Sequence, residues 1–273
     1  MSLDDSLPNA ATGGVLAVTA DISINRVPFD APWEWLAHGW RDLWSMPSAS
    51  LTYGALFGIG AALLSWGATQ AGAQSIILAL AGGFLLIGPL VAVGFYEASR
   101  RLAKGQTVGL GDMLAAPLRA RGQLPFMGVV LLLIFMVWMQ LAFLLFMLFS
   151  GGQPFPPASE FVNMLFFTPS GVGLLFVGTA VGAALAALVF SVAAISVPLL
   201  MVKDVDVATA IGTSFKAVIA NPQPMMLWAA LIAGFMALGV ATLFIGLIVA
   251  FPLVGHATWH AFRQLVNVDG ASD

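Results

Sequence analysis

The chain has 273 residues, 60% hydrophobic and only 8% charged, whereas an ordinary soluble domain is about 25% charged. So few polar groups cannot cover that much apolar surface in water. A net charge of −3 without a large basic patch argues against nucleic acid as a partner, and the absence of cysteine excludes disulfides, thiolate metal centres and cysteine catalysis.

Residues 1–25 carry Asp4, Asp5 and Asp21 but no Lys or Arg, the wrong charge for a secretory signal. Their apolar run, Val15 to Ala20, is too short to span a bilayer. They are expected to be a flexible tail, followed by a single membrane domain over 26–266 and a short tail over 267–273. Ala31 to Met46 predicts an amphipathic helix in which Trp33, Leu36, Ala37, Trp40, Leu43 and Trp44 share one face. Glu34, His38, Arg41 and Asp42 lie elsewhere, with Asp30 as N-cap and Pro32 in the first turn. Trp33, Trp40 and Trp44 are expected to anchor this helix at the membrane interface.

Apolar runs predict spans over about 51–68, 76–96, 124–149, 171–202, 225–242 and 246–262, with a tight turn near 241–246. Short surface helices are expected over Met113–Arg121 and Val207–Ala220, and a Pro/Gly/Ser loop over 150–170. The expected fold is therefore an all-α polytopic membrane protein: six spans forming three hairpins, each preceded by a short cytoplasmic amphipathic helix. The links 69–75, 150–170 and 241–246 contain no Lys or Arg, so all ten basic residues fall on one side. The positive-inside rule then puts both termini in the cytoplasm. A re-entrant hairpin over 225–262 is the alternative that also keeps Arg263 inside. The runs are too long and continuous for barrel strands.

Pro89 to Leu102 aligns without gaps to Pro252 to Leu265, with six of fourteen positions identical and Glu97 opposite His260. This reads as an internal repeat. Its prolines, with Pro198 in span four, are candidates for hinges or a cavity, because a proline within a span frees carbonyl groups that need partners. Few polar groups reach membrane depth or its edge: Glu97, with Arg100 one turn on as its ion-pair partner, Gln140 in span three, and Arg263 at the end of span six. His256 and His260 share a helix face and are candidates for a metal or haem ligand pair. Trp259 between them is expected to be an interfacial anchor. No signature of a catalytic triad, P-loop or dinucleotide site is present, so no catalytic residue is assigned and no cofactor is expected.

The strings Gly83-Phe84-Leu85-Leu86-Ile87-Gly88-Pro89-Leu90, Tyr96-Glu97-Ala98-Ser99-Arg100-Arg101, Ala220-Asn221-Pro222 with Trp228, and Gly255-His256-Ala257-Thr258-Trp259-His260 resemble a family of bacterial integral membrane proteins, domain of unknown function 2189. The likeness runs from about Arg26 to Val266 and implies a bacterial inner-membrane protein. It supplies no catalytic residues. The expected function is a non-catalytic accessory or assembly subunit, with the lipid bilayer and a larger membrane complex as partners. The alternatives are a small-solute channel or transporter built from hairpin repeats, and a haem- or metal-binding protein using His256 and His260.

Overall fold

The computed structural model describes residues 22–72, 77–119, 122–153 and 156–268. The expected tail as far as Asp21, residues 73–75 of the 69–75 link, Arg121, Pro154 and the chain after Val268 lie outside the described residues.

The chain is an all-α membrane protein in which four helical segments are long and apolar enough to cross a bilayer: Pro47–Gln70, Leu124–Ser150, Pro169–Val202 and Pro222–Ala241. Each begins with a proline in its first two positions, where the missing N–H would have had no helical partner. The first is helix α2. It follows strand β1 (Ile22–Ile24) and helix α1 (Ala31–Ser45). Next come α3 (Ile77–Val91), α4 (Val93–Leu102), α5 (Leu110–Arg119) and the long α6 (Leu124–Ser150). The chain continues through α7 (Ala158–Phe167), α8 (Pro169–Ala193), α9 (Ser196–Val202), α10 (Val207–Ala220), α11 (Pro222–Ala241) and α12 (Leu247–Leu265), then ends in strand β2 (Val266–Val268).

Helix α12 is the centre of the fold, with α1, α2, α4 and α11 packed around it. Glycines permit this. A Cβ on Gly39 of α1 would lie 2.7 Å from the Ala257 nitrogen, and one on Gly54 of α2 would lie 2.6 Å from the Ile248 oxygen. Phe57, Phe95 and Phe251 fill the space between α2, α4 and α12, with ring centroids 5.3 Å apart in two edge-on pairs. A second group, α3, α6 and α8, packs beside this core. The outer faces of α6 and α8 stay apolar and exposed, as at Leu133, Leu144, Leu148 and Phe176. Hydrocarbon is the solvent that suits such faces.

Several expectations are corrected. The expected span over 76–96 is two helices, because the chain kinks at Ala92 just after Pro89. There Phe95 N–H bonds to Ala92 O at 2.9 Å in a tightened turn, and Tyr53 donates its hydroxyl to Val91 O at 3.0 Å. The apolar part is then α3, whose fifteen residues reach about 22 Å at 1.5 Å per residue, short of the roughly 30 Å hydrocarbon core. The run 171–202 also divides, near Ala194, where Ile195 N–H bonds to the Ser214 hydroxyl at 3.2 Å. The 150–170 loop contains α7, and the helix expected over Met113–Arg121 is Leu110–Arg119. The run over 246–262 does form one continuous helix, α12, and it is largely buried. Tight turning before it is observed, with Leu243 and Phe244 at φ of 54° and 70°.

The expected tails also take part in the fold. Ile22–Ile24 pairs antiparallel with Val266–Val268, Ser23 opposite Asn267, so the two described ends of the chain lie together. Asn221, buried at the α10–α11 junction, fastens the segment after β1: it accepts from Val27 N–H at 2.9 Å and donates to Asn25 O at 3.0 Å. Asp206 caps α10, accepting from Thr209 N–H at 2.8 Å.

Candidate functional site

The buried polar centre of the molecule is where α1, α2, α4 and α12 meet. His256 of α12 is fully buried, as is Ser50 in the first turn of α2, and Ser99 of α4 is 1% exposed. Ser99 donates to Asp42 Oδ2 of α1 at 2.6 Å, and His260 Nε2 lies 2.8 Å from the same oxygen. His256 Nδ1 is 2.8 Å from Ser99 Oγ, and its Nε2 is 3.0 Å from Ser50 Oγ.

One arrangement of protons satisfies every link. An ionised aspartate only accepts, so Ser99 spends its single proton on Asp42 and accepts from His256 Nδ1–H. His256 Nε2 is then bare and accepts from the Ser50 hydroxyl. His260 donates its Nε2–H to Asp42. The result is a directed chain, Ser50 to His256 to Ser99 to Asp42, with His260 as a second donor. His38, one turn before Asp42 on α1, stacks on His260 with ring centroids 5.0 Å apart. Burial raises the Asp42 carboxyl pKa, but hydrogen bonds from His260 and Ser99 and the two histidines' charge effects outweigh it and hold it below the usual carboxylate value.

A second cluster lies beyond it on α4. Glu97 takes a two-pronged bond from Arg100, 2.7 Å from Nε and 2.8 Å from a terminal nitrogen, so the pair expected at three-residue spacing is present. Arg101 also donates to Glu97 at 2.7 Å and reaches Asp112 of α5 at 3.1 Å. Burial raises the Glu97 pKa, yet these two guanidinium groups bring the net shift below the ordinary carboxylate value.

The remaining candidates scatter. Trp33, Trp40 and Trp44 are about half exposed, on the outer side of α1, and Trp40 and Trp44 stack edge-on. Their expected partners on one face, Leu36 and Leu43, point inward with Trp35, so the apolar stripe is divided between solvent and core. Trp259 is 3% exposed and lies in the core, unlike the interfacial anchor expected from its flanking histidines. Arg263 is exposed, and so is Gln140 on α6. Pro198 and Pro252 are buried, and a Cβ on Gly54 would fall 2.7 Å from the Pro252 ring. Pro89 is half-buried before the kink.

Glu97 and His260, opposite one another in the aligned strings, have different partners, Arg100 and Arg101 for the one and Asp42 for the other. Asp42, Ser50 and Ser99 did not stand out in the sequence. The two serines are signalled only as small hydroxyls on apolar helix stretches, and Asp42 reads as one more charge on the polar side of α1.

Residues 76–202 match the model of a family described as predicted integral membrane protein (DUF2189). The match is narrower than the resemblance expected over 26–266, and the Gly255–His260 string falls outside it. No curated protein and no solved structure matches the chain significantly.

Proposed function

We propose, on the premise that segment 76–202 belongs to this family of integral membrane proteins, that the chain is a non-catalytic accessory or assembly subunit of a larger membrane complex. The observation that carries this reading is Gln140. It lies near the middle of α6, the most apolar of the membrane-length helices, and it is exposed among Met136, Val137, Phe143 and Leu144. A carboxamide facing hydrocarbon is left without hydrogen bonds, which costs on the order of several kcal/mol, whereas a polar group on a neighbouring helix satisfies it. The occupant that fits is therefore a transmembrane helix of another protein presenting a hydrogen-bonding side chain.

The polar centre supports the same reading. Both nitrogens of His256 are engaged by serines, which leaves no lone pair for a metal or haem iron. The fully buried Ser50 hydroxyl is poorly placed as a nucleophile. Packing around Pro198 and Pro252 argues against a hydrated path at these prolines, and so against the channel reading.

In the bacterial inner membrane we place six crossings, with α3 and α12 completing the four longer segments and both termini cytoplasmic. The paired strands β1 and β2 support an even number of crossings. The test of function is isolation in mild detergent, with mass spectrometry of what travels with the chain. The expected result is a partner at fixed stoichiometry that the Gln140→Leu variant loses. Recovery of the wild-type chain by itself, or only as copies of itself, would contradict the proposal.

A further inference from the structure

A cavity of about 450 Å³ opens between α4, α5 and the link that joins α9 to α10. Its charged lining is balanced: Arg101, Arg119 and Lys203 against Glu97, Asp112 and Asp204. The cations are not equally committed. Arg101 is held by Glu97 at 2.7 Å and by Asp112 at 3.1 Å. Arg119 reaches Asp112 only at 3.9 Å, and its side chain is 69% exposed. Opposite, the Asp204 carboxylate stands against the Gly122 turn, where a Cβ would lie 3.4 Å from Oδ1. The cavity thus presents a guanidinium with capacity to spare and a carboxylate.

Its surroundings indicate the phase it faces. Leu114 and Leu118 of α5 are 44% and 87% exposed, one helical turn apart, and Phe126 near the start of α6 is 61% exposed. Charged groups beside exposed apolar ones, where α6 and the α8–α9 segment end, match the boundary between headgroups and acyl chains.

We infer that this cavity binds the phosphoethanolamine group of a membrane phospholipid, its phosphate on Arg119 and its ammonium on Asp204. The guanidinium fork matches a phosphodiester. An ammonium offers three N–H donors to a carboxylate, whereas the quaternary nitrogen of choline offers none. Among the described residues the lining carries as many negative as positive groups, which suits a zwitterion better than an anionic lipid. The exposed leucines of α5 suit the acyl chains, which makes the bilayer lipid, rather than the soluble headgroup, the source.

The test uses the full chain reconstituted with equal amounts of phosphatidylethanolamine, phosphatidylglycerol and phosphatidylcholine, then extracted gently for mass spectrometry of retained lipid. Wild type is expected to retain phosphatidylethanolamine about tenfold over phosphatidylcholine, the ratio one charge-assisted hydrogen bond supports. Asp204→Asn should bring the two to parity, and Arg119→Ala, at an exposed position, should lower retention of both while leaving the melting temperature unchanged. Soluble glycerophosphoethanolamine should displace the lipid. Retention in bulk proportions, or enrichment that survives both substitutions, would overturn the site. Binding of glycerophosphoethanolamine without retention of the lipid would overturn its assignment to the membrane.

Discussion

Replacing Asp42 by alanine is expected to destabilise the protein by about 3 kcal/mol, measured by unfolding in detergent micelles, because it removes the one acceptor shared by Ser99 and His260. The damage is directional. Without Asp42 the Ser99 proton turns to His256 Nδ1, which reverses the His256 tautomer and the direction of its bond with Ser50, while His260 loses its acceptor. Asp42→Asn keeps an acceptor oxygen and should lose less, about 1–2 kcal/mol, since the bonds become neutral.

The same carboxylate predicts a pH dependence. Its folded-state pKa lies below the ordinary value of 3.8, so the folded protein releases this proton more readily than the unfolded chain. The stabilisation is complete above the unfolded value and is lost as pH falls through the lower folded value. Wild type should lose stability relative to Asp42→Asn as pH falls below about 4, with this contribution flat above about 5. Equal acid sensitivity in the two proteins would show that Asp42 is not the group responsible.

The second large effect is expected at Gly39. A side chain there meets backbone: the Ala257 nitrogen at 2.7 Å and the Leu253 oxygen at 2.9 Å. Neither atom can rotate away, so Gly39→Leu must lift α1 from α12. Overpacking of this kind costs about 1–3 kcal/mol, and more when the shift also breaks bonds nearby. Here it would separate Asp42 from His260 and Trp35 from Gln264, so a loss of about 3 kcal/mol or more is expected. Gly212→Ala in α10 is the control. Nothing lies within 4 Å of its added Cβ, so helix propensity should give a gain of up to about 1 kcal/mol. If Gly39→Leu unfolded at the same denaturant concentration as wild type, the seating of α1 on α12 would be wrong.

The legible parts of this molecule are those set by local pattern. The helix expected over Val207–Ala220 is observed with those bounds, and the one expected over Ala31–Met46 ends one residue early. Their punctuation is local: Asp206 caps one, and Pro47 begins the helix after the other. The inward side of α1 was not legible, because hydrophobicity alone cannot rank Trp33 and Trp40 against Leu36 and Leu43. Gly39 decides it, since only that side allows backbone contact with α12. The kink at Ala92 was hidden for a related reason. Pro89 and Pro252 look equivalent in the aligned strings, yet α12 runs through Pro252 unbroken while the α3–α4 helix divides beyond Pro89. Tyr53 from another helix satisfies the carbonyl of Val91 at that kink, a long-range partnership that spacing does not encode.

The polar centre was half legible. His256 and His260 stood out as ionisable groups on one face, but their partners sit on three other helices and only tertiary packing brings them together. Gln140 stood out because it interrupts an apolar run, and its exposure, which only the structure gives, is what the proposed contact with another helix is built on.

The central claim is that the strands at the two described ends lie together on one side of a membrane-crossing bundle. The chain has no cysteine, so each introduced one is a unique label. Lys104→Cys, Asn267→Cys and Gln153→Cys, all at exposed positions, are treated with a membrane-impermeant maleimide on right-side-out vesicles before and after lysis. The expected result is that Gln153→Cys reacts at once, while Lys104→Cys and Asn267→Cys react together and only after lysis. Labelling of Lys104→Cys and Asn267→Cys from opposite sides would contradict the account.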